Sequence, residues 1–179
     1  RKAKYDLDES EVKPYLQLDK LRDAMFWSAG RLYDLGFREN TGTIPVFDPK
    51  VKTFEVYNLK TNENVGVLYL DNFARDGKRS GAWMTTYRSQ QTLGGDRNVL
   101  ASNNNNFTEG AKGEPTLVSL DDASTLFHEF GHGIHYLLQH VKYPWLANVP
   151  RDFVEYPSQV NENWLLTPEV LSTYATHYK

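Results

Sequence analysis

Apolar positions recur along this chain with two different periods. Between residues 15 and 35, Leu18, Leu21, Met25, Ala29, Leu32 and Leu35 fall every three or four residues. That spacing predicts an amphipathic helix with Gly36 as its C-terminal cap and the Met25-Phe26-Trp27 cluster in the core. Residues 52–59 and 65–70 are instead rich in β-branched and aromatic side chains, with Thr61-Asn62-Glu63-Asn64 between them, and predict a hairpin. Residues 84–87 and 99–103 predict two further short strands. The four asparagines 103–106 predict a loop, because their side chains compete for backbone hydrogen bonds and tolerate left-handed conformations.

A second helix is predicted around residues 126–139, where Phe127, Phe130, Ile134, Leu137 and Leu138 form one stripe. Ser119 and Asp122 resemble a capping box ahead of it, and Asp121 and Asp122 suit the positive end of its dipole. Thr167 and Pro168 predict the start of a last helix. The remaining segments read as connections: a polar lead-in over 1–13, a Gly/Pro stretch over 37–50, and a turn marked by Tyr143-Pro144 and Val149-Pro150. Residues 71–83, with Asp71, Arg75, Asp76, Lys78 and Arg79 around glycines, read as a solvated crossing. The expected fold class is α+β, mostly α-helical, with a small antiparallel sheet, and residues 1–179 form a single piece.

Composition supports one substantial core, since 40% of the 179 residues are hydrophobic and 13% aromatic. A net charge of −3 with scattered Lys and Arg gives no reason to expect nucleic acid or a membrane surface as a partner. No apolar run approaches the ~18 residues of a membrane span. There are no cysteines, so any metal must be held by N and O donors.

Candidate chemistry lies in the second helix as His128-Glu129-x-x-His132. On a helix the two histidines stand one turn apart on one face, near enough to share a metal ion. A zinc ion there would polarise a scissile carbonyl and lower the pKa of a bound water, and Glu129 would take that water's proton. Gly131 and Gly133 inside the helix cost about 1 kcal/mol each against alanine; a backbone or a substrate passing close by is one reason for them, and poor local packing is the other. A catalytic zinc needs a third protein donor. The segment 152–164, Asp-Phe-Val-Glu-Tyr-Pro-Ser-Gln-Val-Asn-Glu-Asn-Trp, carries Glu155 twenty-three residues past His132.

Together, residues 128–135 and 152–164 resemble the family of thimet oligopeptidase, oligopeptidase A and bacterial peptidyl-dipeptidase, which are zinc metallopeptidases. Segments 73–76, 80–84 and 113–117 also read like that family, in the expected order, so the resemblance covers essentially the whole chain. It implies one zinc per chain, held by His128, His132 and Glu155, with Glu129 as general base, acting on short peptides. The wording of 152–164 is closer to the peptidyl-dipeptidase branch, which releases C-terminal dipeptides. An oligoendopeptidase of the same family, or a zinc-binding piece inactive by itself, is the alternative.

The family also uses Tyr and His residues downstream of its third ligand, and these have no counterpart before Lys179. With Arg at position 1, the expectation is an excised piece that needs the rest of a parent enzyme to complete its cleft; the expected location is the cytoplasm. Glu162, seven residues from Glu155, faces the same way on a helix, and either it or Asp152 could accept a bond from a ligating imidazole. His135, three residues past His132, could line the site, donate to a metal ligand from behind, or pack as a ring. His140 and His177 are expected at the surface without a role. By analogy with other zinc peptidases, residues 99–103 are the candidate strand for pairing with extended substrate.

Overall fold

The computed structural model describes residues 8–179. Of the polar lead-in, residues 1–7 lie outside the described residues, while Glu9–Val12 form a short helix, α1, capped by Asp8, whose carboxylate accepts from the Ser10 amide. Helix α2 spans Leu18–Tyr33 and buries Leu18, Leu21, Ala24, Met25 and Ala29, as the spacing predicts. Trp27 and Leu32 are exceptions that remain substantially exposed. The helix ends earlier than predicted because Asp34, not Gly36, takes the left-handed conformation (φ 55°), its amide donating to Gly30 O. The chain then turns directly into strand β1, Leu35–Glu39, which takes in the predicted helix end and cap at Leu35 and Gly36 and the first residues of the expected connection. Gly36 pairs with Tyr57 across β1 and β2, and a Cβ on it would collide with the Tyr57 ring.

The hairpin forms as expected, with β2 at Lys52–Asn58 and β3 at Asn64–Phe73. Strand β4 covers Trp83–Arg88 and β5 covers Val99–Phe107, giving a sheet of order β1-β2-β3-β5-β4. Because β5 inserts between β3 and β4, it runs parallel to β3 and antiparallel to β4. The sheet is thus mixed, with one parallel pair where only antiparallel pairing was expected.

The asparagine run is the clearest departure from local propensity. Asn103 to Asn106 continue β5 as strand, and Asn103, Asn104 and Asn105 are buried. Two of these amides reach neighbouring segments: Asn104 Nδ2 donates to Trp83 O (3.1 Å) as well as to Ser102 O of its own strand (3.2 Å), and Asn105 Nδ2 donates to Asn72 Oδ1 (3.0 Å). Tertiary partners override the turn tendency of the residue type. The 71–83 crossing is likewise not simply solvated. The Lys78 side chain is 2% exposed and lies 3.0 Å from the buried Asp71 carboxylate. It donates to the carbonyls of Asp71, Phe73 and Asn105, so the buried charge is paired and fully hydrogen-bonded.

Helix α3, Leu120–Leu137, lies on the sheet face that carries Phe54, Leu68, Leu70, Val99 and Ala101. Phe127 and Phe130 are fully buried there, each worth roughly 1.5–3 kcal/mol of transfer free energy. Phe26 of α2 stacks on Phe37 of β1 at 4.0 Å, closing the second edge of the core. Helix α4, Glu155–Glu162, crosses beside α3, and α5, Pro168–Tyr174, follows a 3-10 turn at Asn163–Leu166. Pro168 opens α5 as expected, although the Thr167 hydroxyl donates back to Trp164 O rather than capping the helix. Among the described residues no helix is long and apolar enough to cross a membrane.

Candidate metal centre

The sequence fixes the direction of α3 at its start. Ser119 Oγ accepts from the Asp122 amide (3.0 Å) while Asp122 Oδ2 accepts from the Ser119 amide (3.2 Å), the reciprocal box that the spacing predicts. From that fixed end, the apolar stripe turns into the core and His128, Glu129 and His132 turn into a cleft of about 330 Å³. Ala82, Trp83 and Met84 of the β4 edge form one wall; Tyr136, Val154 and Glu155 complete it.

Helix α4 delivers the third group. Glu155 is its first residue and Pro157 lies in its first turn, where a missing N–H leaves no intrahelical bond unmade. The two glycines of α3 now have a physical reason. A Cβ on Gly131 would lie 2.7 Å from Ser158 Cα and 2.9 Å from Asn161 Cβ, so only glycine lets α4 approach this closely. A Cβ on Gly133 would lie 3.0 Å from Asn103 Oδ1 of β5. Asn161 then locks the helices together, its buried Nδ2 donating to Phe127 O at 2.6 Å.

Three donor atoms converge as a result. Glu155 Oε2 lies 3.1 Å from His128 Nε2 and 3.2 Å from His132 Nε2, and the three residues form a group able to hold a metal ion. The two imidazoles meet edge to face, with centroids 4.9 Å apart. His128 Nδ1 lies 2.6 Å from Glu162 Oε1, and a carboxylate only accepts, so the ring's proton belongs on Nδ1. The lone pair on Nε2 then faces the Glu155 oxygen, two acceptors opposed, an arrangement that a shared cation satisfies. Ser124 Oγ donates to Glu162 Oε2 (3.1 Å), and Ser158 Oγ donates to Glu155 Oε2 (3.2 Å), holding both carboxylates in place.

Glu129 is 7% exposed. Burial pushes its carboxyl above the usual carboxylate range; a positive charge on His128, when that ring is protonated, opposes this, the Glu155 charge adds to it, and the nearby Met84 backbone N–H opposes it. Burial also pushes His132 below the usual imidazole range, which favours the neutral ring that binds metals.

The other expected residues divide. Glu162 reaches His128 as anticipated, whereas Asp152 sits exposed in a turn, with no hydrogen bond or ion pair to either imidazole. His135 lies outside the donor group. It lines a separate cavity of about 360 Å³ with Tyr33, Ile134, Leu138 and Gln139, and its ring packs 6.2 Å from that of Phe153. His140 and His177 are exposed. Strand β5 cannot take a substrate strand, because β3 and β4 occupy both its edges; the free edge beside the cleft belongs to β4. Ser124, Ser158, Asn161 and the Met84 amide were not anticipated. The close approach at Gly131 was the signal that could have found Ser158 and Asn161.

The model of the family described as peptidase family M3 matches residues 1–179. The chain is 43% identical over 182 residues to dipeptidyl carboxypeptidase of Escherichia coli (strain K12), which covers 100% of this chain and 26% of that protein. It is 36% identical over 180 residues to oligopeptidase A of the same organism, covering 98% and 26%. A thimet-like oligopeptidase of Dictyostelium discoideum is 31% identical over 184 residues, covering 98% and 27%. The chain therefore spans about a quarter of the length of these relatives.

Proposed function

The chain belongs to peptidase family M3, and from that premise we propose that residues 1–179 carry the zinc-binding half of a peptidase active site acting on short, extended peptides. The observation that carries this reading is the convergence of His128 Nε2, His132 Nε2 and Glu155 Oε2. Their 3.1 and 3.2 Å separations from the shared carboxylate oxygen are near the ~3.3 Å between ligands of a tetrahedral ion with ~2.0–2.1 Å bonds. Two imidazoles and one carboxylate also match the donor set of catalytic zinc sites, which keep one position open. When bound, zinc would act as a Lewis acid toward the scissile carbonyl and acidify water.

The chain's own groups supply the proton chemistry. Glu129, adjacent to the first imidazole, accepts the proton of the attacking water and returns it to the leaving amide nitrogen. Its burial and raised pKa suit a group that must both take and release a proton. Glu162 keeps the His128 proton on Nδ1 and leaves Nε2 free to ligate. Removing that support in Glu162→Gln is expected to weaken zinc binding by about 10- to 100-fold, measured by competition with a chelator. The free β4 edge is the surface on which an extended peptide adds as a further strand.

Release of C-terminal dipeptides is the favoured specificity, because the identity to a dipeptidyl carboxypeptidase (43%) exceeds that to oligopeptidase A (36%). Endo-acting cleavage, which the oligopeptidase A likeness supports, is the second reading. The proposed setting is the cytoplasm, with peptides rather than nucleic acid or membrane as partners, and with the rest of a full-length protein closing the cleft.

The test is a ladder of quenched-fluorescent peptides with free and amidated C-termini, given to a full-length protein carrying these residues and to residues 1–179 alone. The full-length protein is expected to cleave free-acid peptides two residues from the end and to spare the amides. The shorter chain, whose cleft lacks the groups that the rest of a full-length protein would add around the developing oxyanion, is expected to be slower by at least ~10²- to 10³-fold. Equal cleavage of the amides would favour the endopeptidase reading, and comparable kcat/KM for the two proteins would show that residues 1–179 already hold every essential group.

A further inference from the structure

The wall opposite the metal donors is held by a polar clamp, formed by the asparagine run and the buried lysine, that the mechanism above does not use. Asn106 Nδ2 donates one proton to Arg79 O (2.8 Å) and the other to Gly81 O (2.7 Å), spanning a turn whose Gly81 has a φ of 86°. Asn104 Nδ2 donates to Trp83 O (3.1 Å), two residues further on. Lys78, at the start of the same turn, is anchored on the ends of β3 and β5 through the carbonyls of Phe73 and Asn105. Residues 78–83 are therefore gripped at four points by groups that belong to the sheet.

The gripped segment leads straight into the site. Ala82, Trp83 and Met84 line the same cleft as Glu129, which sets the Met84 backbone beside the Glu129 carboxyl. Met84 stands opposite Asn103 in the β4–β5 register, so its height along the sheet follows the placement of the preceding turn. Among the described residues, the Asn106 amide is the one group that holds two carbonyls of that turn at once. It is only half-buried, and its side chain makes no hydrogen bond to His128, His132 or Glu155. We infer that Asn106 is a positioning residue: by clamping Arg79 O and Gly81 O it sets the β4 edge, and Met84 with it, at the right height against Glu129 and the substrate backbone. The inference rests on the reading of Glu129 as proton acceptor, but the clamp itself does not.

Asn106→Asp is nearly isosteric, removes both donated bonds and sets a carboxylate against two carbonyl oxygens. In the zinc-loaded full-length protein it is expected to lower kcat by up to ~10²-fold, the scale of a ~1 Å misplacement of catalytic groups, with zinc content unchanged. Hydrogen exchange at the Met84 amide is expected to quicken in the same variant. Val56→Ala, which truncates a buried side chain in β2 away from the cleft, separates positioning from stability: it should lower Tm at least as much while leaving kcat near wild type. An Asn106→Asp protein with wild-type kcat, or a Val56→Ala protein with the same kcat loss, overturns the inference. If the wild-type protein neither holds zinc nor cleaves peptides, the peptidase reading fails and the exchange decides for the clamp: quicker exchange at Met84 in Asn106→Asp upholds it, and unchanged exchange refutes it.

Discussion

In Glu129→Gln, peptide hydrolysis by a full-length protein is expected to fall by about 10²- to 10⁴-fold while zinc content stays at the wild-type level. The amide occupies nearly the same volume and keeps an oxygen for the Met84 N–H, but it cannot accept a proton from water. The stability of the metal-free protein gives an independent sign. Burial raises the Glu129 pKa above its unfolded value, so the folded state gains a proton more readily than the unfolded one. Its contribution to stability is then lost as pH rises from the unfolded carboxylate pKa through the folded one. At neutral pH the Gln variant, which carries no buried charge, is expected to melt no lower than wild type. Retained turnover in the variant would remove Glu129 from the mechanism, and a much lower Tm would show that its charge is structural.

Gly131→Ala is expected to weaken zinc binding more than tenfold and to slow hydrolysis by ~10²-fold, with only a modest change in Tm. A new methyl would start 2.7 Å from Ser158 Cα and 2.9 Å from Asn161 Cβ, atoms of helix α4 that cannot rotate away. Helix α4 must retreat, and Glu155 leaves the two imidazoles with it. Stability changes less, because the ~1 kcal/mol gained by replacing a helical glycine partly offsets ~1–3 kcal/mol of overpacking. Gly133→Ala provides the contrast: its methyl meets the end of the Asn103 side chain at 3.0 Å and leaves the α3–α4 spacing alone. Chelator competition on both variants checks this, and equal zinc affinity for Gly131→Ala and wild type would show that the helices have room to spare.

Much of this site was legible in the sequence because its signals are local. The Ser119–Asp122 box, the stripe of α3 and the i, i+4 histidines depend only on helix geometry, and so does the shared direction of Glu155 and Glu162. Glu155 itself needed the resemblance, since nothing in its spacing separates it from Asp152, which the structure leaves in an exposed turn. Pattern failed where side chains find distant partners. The four asparagines read as loop until Trp83, Asn72 and the 79–81 turn appear as hydrogen-bond partners of three of them, Asn104, Asn105 and Asn106. Lys78 reads as solvated until Asp71 and three carbonyls enclose it. The helix stop moved from Gly36 to Asp34 because an aspartate also tolerates the left-handed conformation. The parallel β3–β5 pair reflects strand order, which no local period encodes.

The central claim, that His128, His132 and Glu155 together hold one zinc ion, is tested most directly by metal analysis after exhaustive dialysis of wild type and the His128→Ala/His132→Ala double variant. About one zinc per wild-type chain is expected, and essentially none in the variant, since one carboxylate alone cannot compete with water for the ion. Equal zinc in the two proteins would contradict the assignment.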